Sequence, residues 1–471
     1  MGTALTAYRY QRLEAWLSRG IEEGRWRLGE KLPSIRTLCR EHGLSKATVQ
    51  HALRRLEARG LLEARPKAGY FLSLRPESPR APRSRARIAA PRPASVSDLL
   101  LDIMARGAAF DLVPDPLAGS LPPGVLGLNR AIGRALRRQR GGAYQYYDAP
   151  AGEPELREQL ALHHARRGWP VEPERLCVTS GCQHALFLAL MACCERGDVV
   201  AVESPGFYGV LQLLEQLQLQ VVEIPASPET GMDMEALEAV LGRWKVKACV
   251  VSPAFATPGG ALMPEAARRR LLALAEQHDL AVIEDDIYAE TALGPVPDPL
   301  KALDSHDRVI LCGSFSKCLA RDLRLGWVSG ARWHQRVVRL KLVTQLAGSR
   351  FLQQGVADFM ADGGFAAHLR RQRHDLRVNR DQLIDRLRSW PGEVRVSRPQ
   401  GGLAVWVELD ARIDTLAAYG RALEQGVVIT PGPLFSGSGQ FRHCLRIGFA
   451  HPWHPDRLAA LERLPGLLRA A

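Results

Sequence analysis

The chain has 471 residues, room for about three domains at ~150 residues each. Apolar residues make up 46% and charged residues 24%, which excludes a wholly disordered or fibrous chain. The net charge is +13, and it is uneven: residues 1–97 hold 20 Lys/Arg against 8 Asp/Glu, so the rest is nearly neutral. A basic front on a neutral body predicts that one part meets a polyanion. No stretch approaches the ~18 apolar residues of a membrane span. The first ten residues lack the apolar core of a secretion signal. Nine cysteines occur without a C-x-x-C pair, which predicts reduced, buried thiols and a cytoplasmic protein.

Along residues 10–25, Leu13, Trp16, Leu17 and Ile21 share one helical face. Ser34 can cap a helix reaching about His42, and Gly43 breaks it. Ser45 can cap a second helix over residues 46–59, with Val49, Leu53 and Leu56 facing inward and Gly60 at its end. Residues 61–64 and 70–72 can pair across a Pro/Lys/Gly turn. Such a unit lays its second helix in the DNA major groove. Lys46, Thr48 and Gln50 lie at that helix's start, and Arg54 and Arg55 can reach phosphates from its flank. The string LPSIRTLCREHGLSKATVQHALRRLEARGLLEARPKAGYF resembles the winged helix-turn-helix of GntR-type transcription regulators. The resemblance implies that Arg36, Ser45, Lys46 and Thr48 face double-stranded DNA, and Gln50 joins them by its place at the helix start. The resemblance also implies that Lys67 and Gly69 form the wing tip.

Residues 74–97 are rich in Pro, Arg, Ser and Ala without an apolar period, which predicts an extended, self-repelling linker between a head at 1–73 and a body at 98–471. In the body, short β-branched runs alternate with amphipathic helical stretches. The pattern predicts a mostly parallel sheet covered on both faces. From about residue 389 to 471 the runs change and suggest a smaller α+β piece.

Gly313-Ser314-Phe315-Ser316-Lys317 follows a predicted strand. A lysine placed so can form a Schiff base with an aldehyde. Pyridoxal phosphate also needs a carboxylate for its ring nitrogen, an anion cup for its phosphate and an aromatic face. Asp285 ends a strand, and Tyr288 follows three residues later. Ser314 and Arg324 flank Lys317. Ser180 and Gly181 join a strand to a helix, and Phe207 supplies a ring. The body resembles the fold-type I, class I/II aminotransferases over about residues 110–465. By that resemblance Lys317 is the Schiff-base lysine, Asp285 the ring-nitrogen partner and Tyr288 a ring-oxygen contact. Ser180, Gly181, Ser314 and Arg324 hold phosphate, and Phe207 stacks on the ring. Tyr147 reaches the phosphate of a partner subunit, and Arg446 grips a substrate carboxylate with its planar fork. Two departures stand out. Thr257 occupies the place of the family's usual Asn before Pro. Arg321-Asp322 replaces Pro-Gly in the loop near the phosphate. No His or Cys group has metal-ligand spacing.

The whole layout resembles the MocR subfamily of GntR regulators. The resemblance implies a homodimeric, DNA-binding regulator that senses an amino compound, or pyridoxal phosphate itself. The alternative is a working aminotransferase with an accessory head, and the sequence leaves enzyme activity open.

Overall fold

In the computed structural model the described residues are 9–22, 25–26, 29–58, 61–65, 68–72, 80–95, 98, 102–103, 111–113, 121–139 and 146–469. The chain forms two compact units, 1–78 and 79–471.

The first unit packs three helices, Arg9–Glu22, Ile35–His42 and Lys46–Ala58, with the antiparallel hairpin Leu62–Arg65 and Gly69–Leu72. Leu13, Leu17, Leu38, Val49, Leu53 and Leu56 form its buried core, the faces that the 3.6-residue period marks. Ser34 Oγ accepts the Thr37 N–H at 3.1 Å, and Ser45 Oγ accepts the Thr48 N–H at 3.2 Å, so each serine caps the helix that follows it. Gly43 ends the first of these with φ 61°, a left-handed turn that a Cβ would disfavour.

The second unit is built on a nine-stranded sheet. Its central strands, Gln220–Ser227, Val199–Ser204, Val246–Val251, Ala281–Asp285 and Val309–Ser314, run parallel. Gly326–Ser329 runs against them, and Cys177–Thr179 against that strand in turn. Side chains alternate across the sheet. Val200, Val202, Ile283 and Ile310 pack with the helix Cys182–Cys193, while Ala201, Val222 and Val282 pack with Met234–Arg243 and Glu265–Gln277. Burial on both faces is why these strands read as continuous apolar runs. A smaller antiparallel sheet holds Arg395–Val396, Ala404–Glu408, Cys444–Gly448 and Thr430–Pro431.

The stretch expected to be a self-repelling linker departs from that expectation over residues 80–95. It is extended, but laid along the second unit. The Val396 N–H donates to the Arg80 carbonyl at 2.9 Å. The Arg83 and Ser84 N–H groups donate to Glu408, Ser84 Oγ meets His443 Nε2 at 2.8 Å, and the Arg87 N–H donates to Gln440 at 2.8 Å. Arg92–Pro93 then pairs as an edge strand with Gln220–Ser227, an edge being where Pro is tolerated. Arg92 also donates to Glu223 at 3.1 Å. Glu223 accepts Ser204 Oγ and Ser436 Oγ at 2.8 Å, the Gly437 N–H at 3.0 Å and Ser438 Oγ at 2.6 Å. Carboxylates of the body thus offset the charge that predicted repulsion.

Candidate functional site

Four strands bring their carboxyl ends to one edge of the large sheet. Ala281–Asp285 ends on Asp285, and Val309–Ser314 ends on Ser314, three residues before Lys317. Val199–Ser204 leads to Phe207, and Cys177–Thr179 leads to Ser180 and Gly181. The crevice outside such ends is where open α/β sheets bind ligands. Phe207, Thr257, Asp285, Tyr288, Lys317 and Arg446 line one cavity there. Arg446 comes from the smaller sheet, on Cys444–Gly448. Tyr208 and Ile287 complete the wall. Neither stood out in the sequence, although each adjoins a residue that did.

The cavity is electrostatically tuned. Burial lowers the Lys317 ammonium to about 7, and Arg321 and Arg446 add repulsion, while Asp285 opposes the fall. Burial therefore favours the uncharged amine far more than solvent does. Burial raises the Asp285 carboxyl to about 6, against the Cys182 thiol, which donates to Oδ1 at 3.2 Å, and against Lys317. Tyr288 is pushed up to about 12 by burial, with Arg446 and a hydrogen bond to Thr257 pulling the other way. Thr257, in the usual asparagine's place, thus partners Tyr288. In the short turn Arg321–Leu323, Asp322 is exposed. Arg321, not Asp322, supplies the charge that reaches Lys317.

A second cluster adjoins this cavity. Ser314 Oγ donates to the Leu325 carbonyl at 3.0 Å and accepts the Ser316 N–H at 3.1 Å. Arg324 donates to Ser316 Oγ at 3.3 Å and to the Ser180 carbonyl at 3.2 Å. Gly181, at φ 85°, precedes the helix Cys182–Cys193, and a Cβ there would come 2.7 Å from the Arg324 guanidinium. A guanidinium, hydroxyls and a helix start converge, as an anion site requires. Ser316 belongs to the cluster and went unremarked in the sequence. Tyr147 lies elsewhere on this chain: it is 80% exposed, beside Arg350 and Tyr146 in a surface pocket. Among the described residues no metal-binding cluster occurs. No described helix is long and apolar enough to cross a membrane.

In the head, Arg36, Ser45, Lys46 and Gly69 are exposed, and Thr48 and Gln50 are half-buried. Ser45 Oγ and Thr48 Oγ1 lie 2.8 Å apart, so both hydroxyls also serve the cap. Arg55 is held by Glu14 at 2.7 Å within the head. Lys67 lies outside the described residues.

Residues 9–72 match the bacterial regulatory proteins of the gntR family, and residues 125–464 match aminotransferase class I and II. Head and cavity together define a winged helix-turn-helix regulator with an aminotransferase-fold body. The chain is 37% identical to YjiR of Escherichia coli (strain K12), an HTH-type transcriptional regulator, over 97% of this chain and 98% of that protein. With both family matches in one chain of this length, it belongs to the MocR subfamily of GntR-type regulators. The body is also similar to two solved enzymes at TM-score 0.71 and 29% identity. One is a kynurenine aminotransferase of Pyrococcus horikoshii in complex with PMP, covering 80% of this chain and 95% of that one. The other is LysN, an alpha-aminoadipate aminotransferase of Thermus thermophilus complexed with N-(5'-phosphopyridoxyl)-L-leucine, covering 79% and 95%.

Proposed function

We propose that this chain is a DNA-binding transcription regulator whose body holds pyridoxal phosphate and senses an amino compound. The observation that carries the reading is the cavity joining Lys317, Asp285, Tyr288 and Arg446, in a chain that also carries a GntR head. The residues fit the cofactor. Burial raises the Asp285 carboxyl to about 6, while the Cys182 thiol, the Ile287 N–H and Lys317 favour its anion, the form that a protonated ring nitrogen requires. The Arg324, Ser314 and Ser180 cluster suits a phosphate dianion, and the missing Cβ of Gly181 leaves that approach open. Phe207 supplies the ring face. When bound, the cofactor supplies an aldehyde and an electron-withdrawing ring.

The chain's own groups then divide the work. Lys317 Nζ, its ammonium form disfavoured by burial and by Arg321 and Arg446, is a competent nucleophile. Arg446 offers a fork for an effector's carboxylate, and its place on the smaller sheet lets that contact draw the two layers together. The segment 80–95 touches both: Glu408 and His443 on the smaller layer, Glu223 at the larger sheet. It leads to the head, so a shift between the layers has a covalent route outward. A ligand acts through such a route only by binding the two arrangements unequally. Exposed Leu342, Val343, Leu346, Tyr146 and Tyr147 support a second copy of the chain as partner, with Tyr147 serving that copy's phosphate site.

Transamination is the second reading, favoured by the same cavity, because lysine, ring-nitrogen carboxylate and substrate arginine are all present in it.

The test uses fluorescence anisotropy on a duplex selected by the protein from random sequence. Lys46→Ala is expected to weaken binding about tenfold. An amino compound is expected to change the affinity of cofactor-loaded protein, and Lys317→Ala to remove that response. A response that persists in Lys317→Ala contradicts the reading.

A further inference from the structure

The thiol of Cys182 is 5% exposed, at the first turn of the helix Cys182–Cys193, and donates to Asp285 Oδ1 at 3.2 Å. It is a side-chain donor to this carboxylate. Burial and the neighbouring acid push the thiol well above its ordinary value, so at neutral pH it keeps its proton and stays a donor. A carboxylate on a strand end can rotate about χ2; a hydrogen bond to one oxygen fixes its plane. We propose that Cys182 is a positioning residue for the cofactor: its thiol orients Asp285 toward the ring nitrogen and holds it as an anion. The proposal rests on the cofactor reading above.

The groups facing Asp285 set the direction of the effect. Lys317, the Ile287 N–H and the Cys182 thiol favour its anion. Burial and Asp286 oppose it. Buried Glu203, near the end of Val199–Ser204 two strands over, adds like-charge repulsion when ionised. Cys312, across the ladder from Asp285, and Tyr288 stay neutral beside it. Removing the thiol takes away one of the few stabilising contacts. The Asp285 titration moves up, and cofactor affinity falls at neutral pH.

The experiment measures the dissociation constant of pyridoxal phosphate by absorbance, from about pH 5.5 to about pH 8, for wild type, Cys182→Ala and Cys182→Ser. Cys182→Ala is expected to weaken binding roughly threefold to tenfold near pH 7, the worth of one hydrogen bond to a charged group. Its loss of affinity on acidification should begin at higher pH than in wild type. The cofactor's own titrations are common to all three proteins and cancel. Cys182→Ser, which restores a donor of similar size, should recover most of both effects. Thermal unfolding of the apo proteins separates a folding defect from a binding defect. An alanine variant with wild-type affinity and pH profile overturns the proposal. So does a serine variant as impaired as alanine, which would mark a packing role. Wild-type protein that takes up no cofactor removes the reading of the site itself, and the proposal with it.

Discussion

Glu203 lies near the end of Val199–Ser204 with its carboxyl buried and one oxygen taking the Ser252 N–H at 2.9 Å. Burial lifts it from 4.5 to about 7. A folded-state value above the unfolded one means the group's stabilising contribution is whole below about pH 4.5 and is lost as pH rises through about 7. Wild type should therefore lose stability relative to Glu203→Gln across that window, by up to about 3 kcal/mol. Urea unfolding of both proteins at about pH 5 and about pH 8 checks it; parallel pH dependences would contradict the burial argument. Single residues also mark what the sequence could and could not disclose. Lys317, Asp285 and Tyr288 were legible because their chemistry sits in short strings after apolar runs. The hydrogen bond from Cys182 to Asp285 was not, since it joins residues 103 positions apart and a buried cysteine reads as packing. Arg55 looked free for phosphate because its partner, Glu14, is 41 residues away.

At the scale of elements, periodicity carried the reading. The two capped helices, the hairpin and the alternating strands announce themselves by spacing and by Ser, Gly and Pro at their ends. The segment 80–95 does not, because it has no apolar period and its order comes from distant carboxylates. Glu223 gathers Arg92, three serine hydroxyls and a backbone N–H in one place. Charge-assisted bonds of this kind are worth more than neutral ones. Glu223→Gln should loosen the segment, and tryptic cleavage after Arg85 or Arg87 should run roughly fivefold to tenfold faster than in wild type. Peptide mass mapping over time reads the rate. Equal rates would mean that the edge strand alone holds the segment.

For the whole molecule, charge and chemistry are segregated. The basic excess lies in the first 97 residues, and the tuned cavity lies at the sheet edge of the body. A basic front before a neutral body was legible from the charge count, but the boundary was not: the second unit begins at residue 79 rather than near 98, because the segment 80–95 is laid along it. The proposed route from a bound amine to DNA affinity was not legible either, because it would run through contacts among layers that no local string encodes. The central claim is chemical: the Lys317 amine takes pyridoxal phosphate. Borohydride reduction of wild-type protein incubated with the cofactor, followed by digestion and mass mapping, tests it most directly. The account predicts one phosphopyridoxyl group, carried on the peptide containing Lys317 and absent from Lys317→Ala. A modification on some other lysine, or none on either protein, would contradict it.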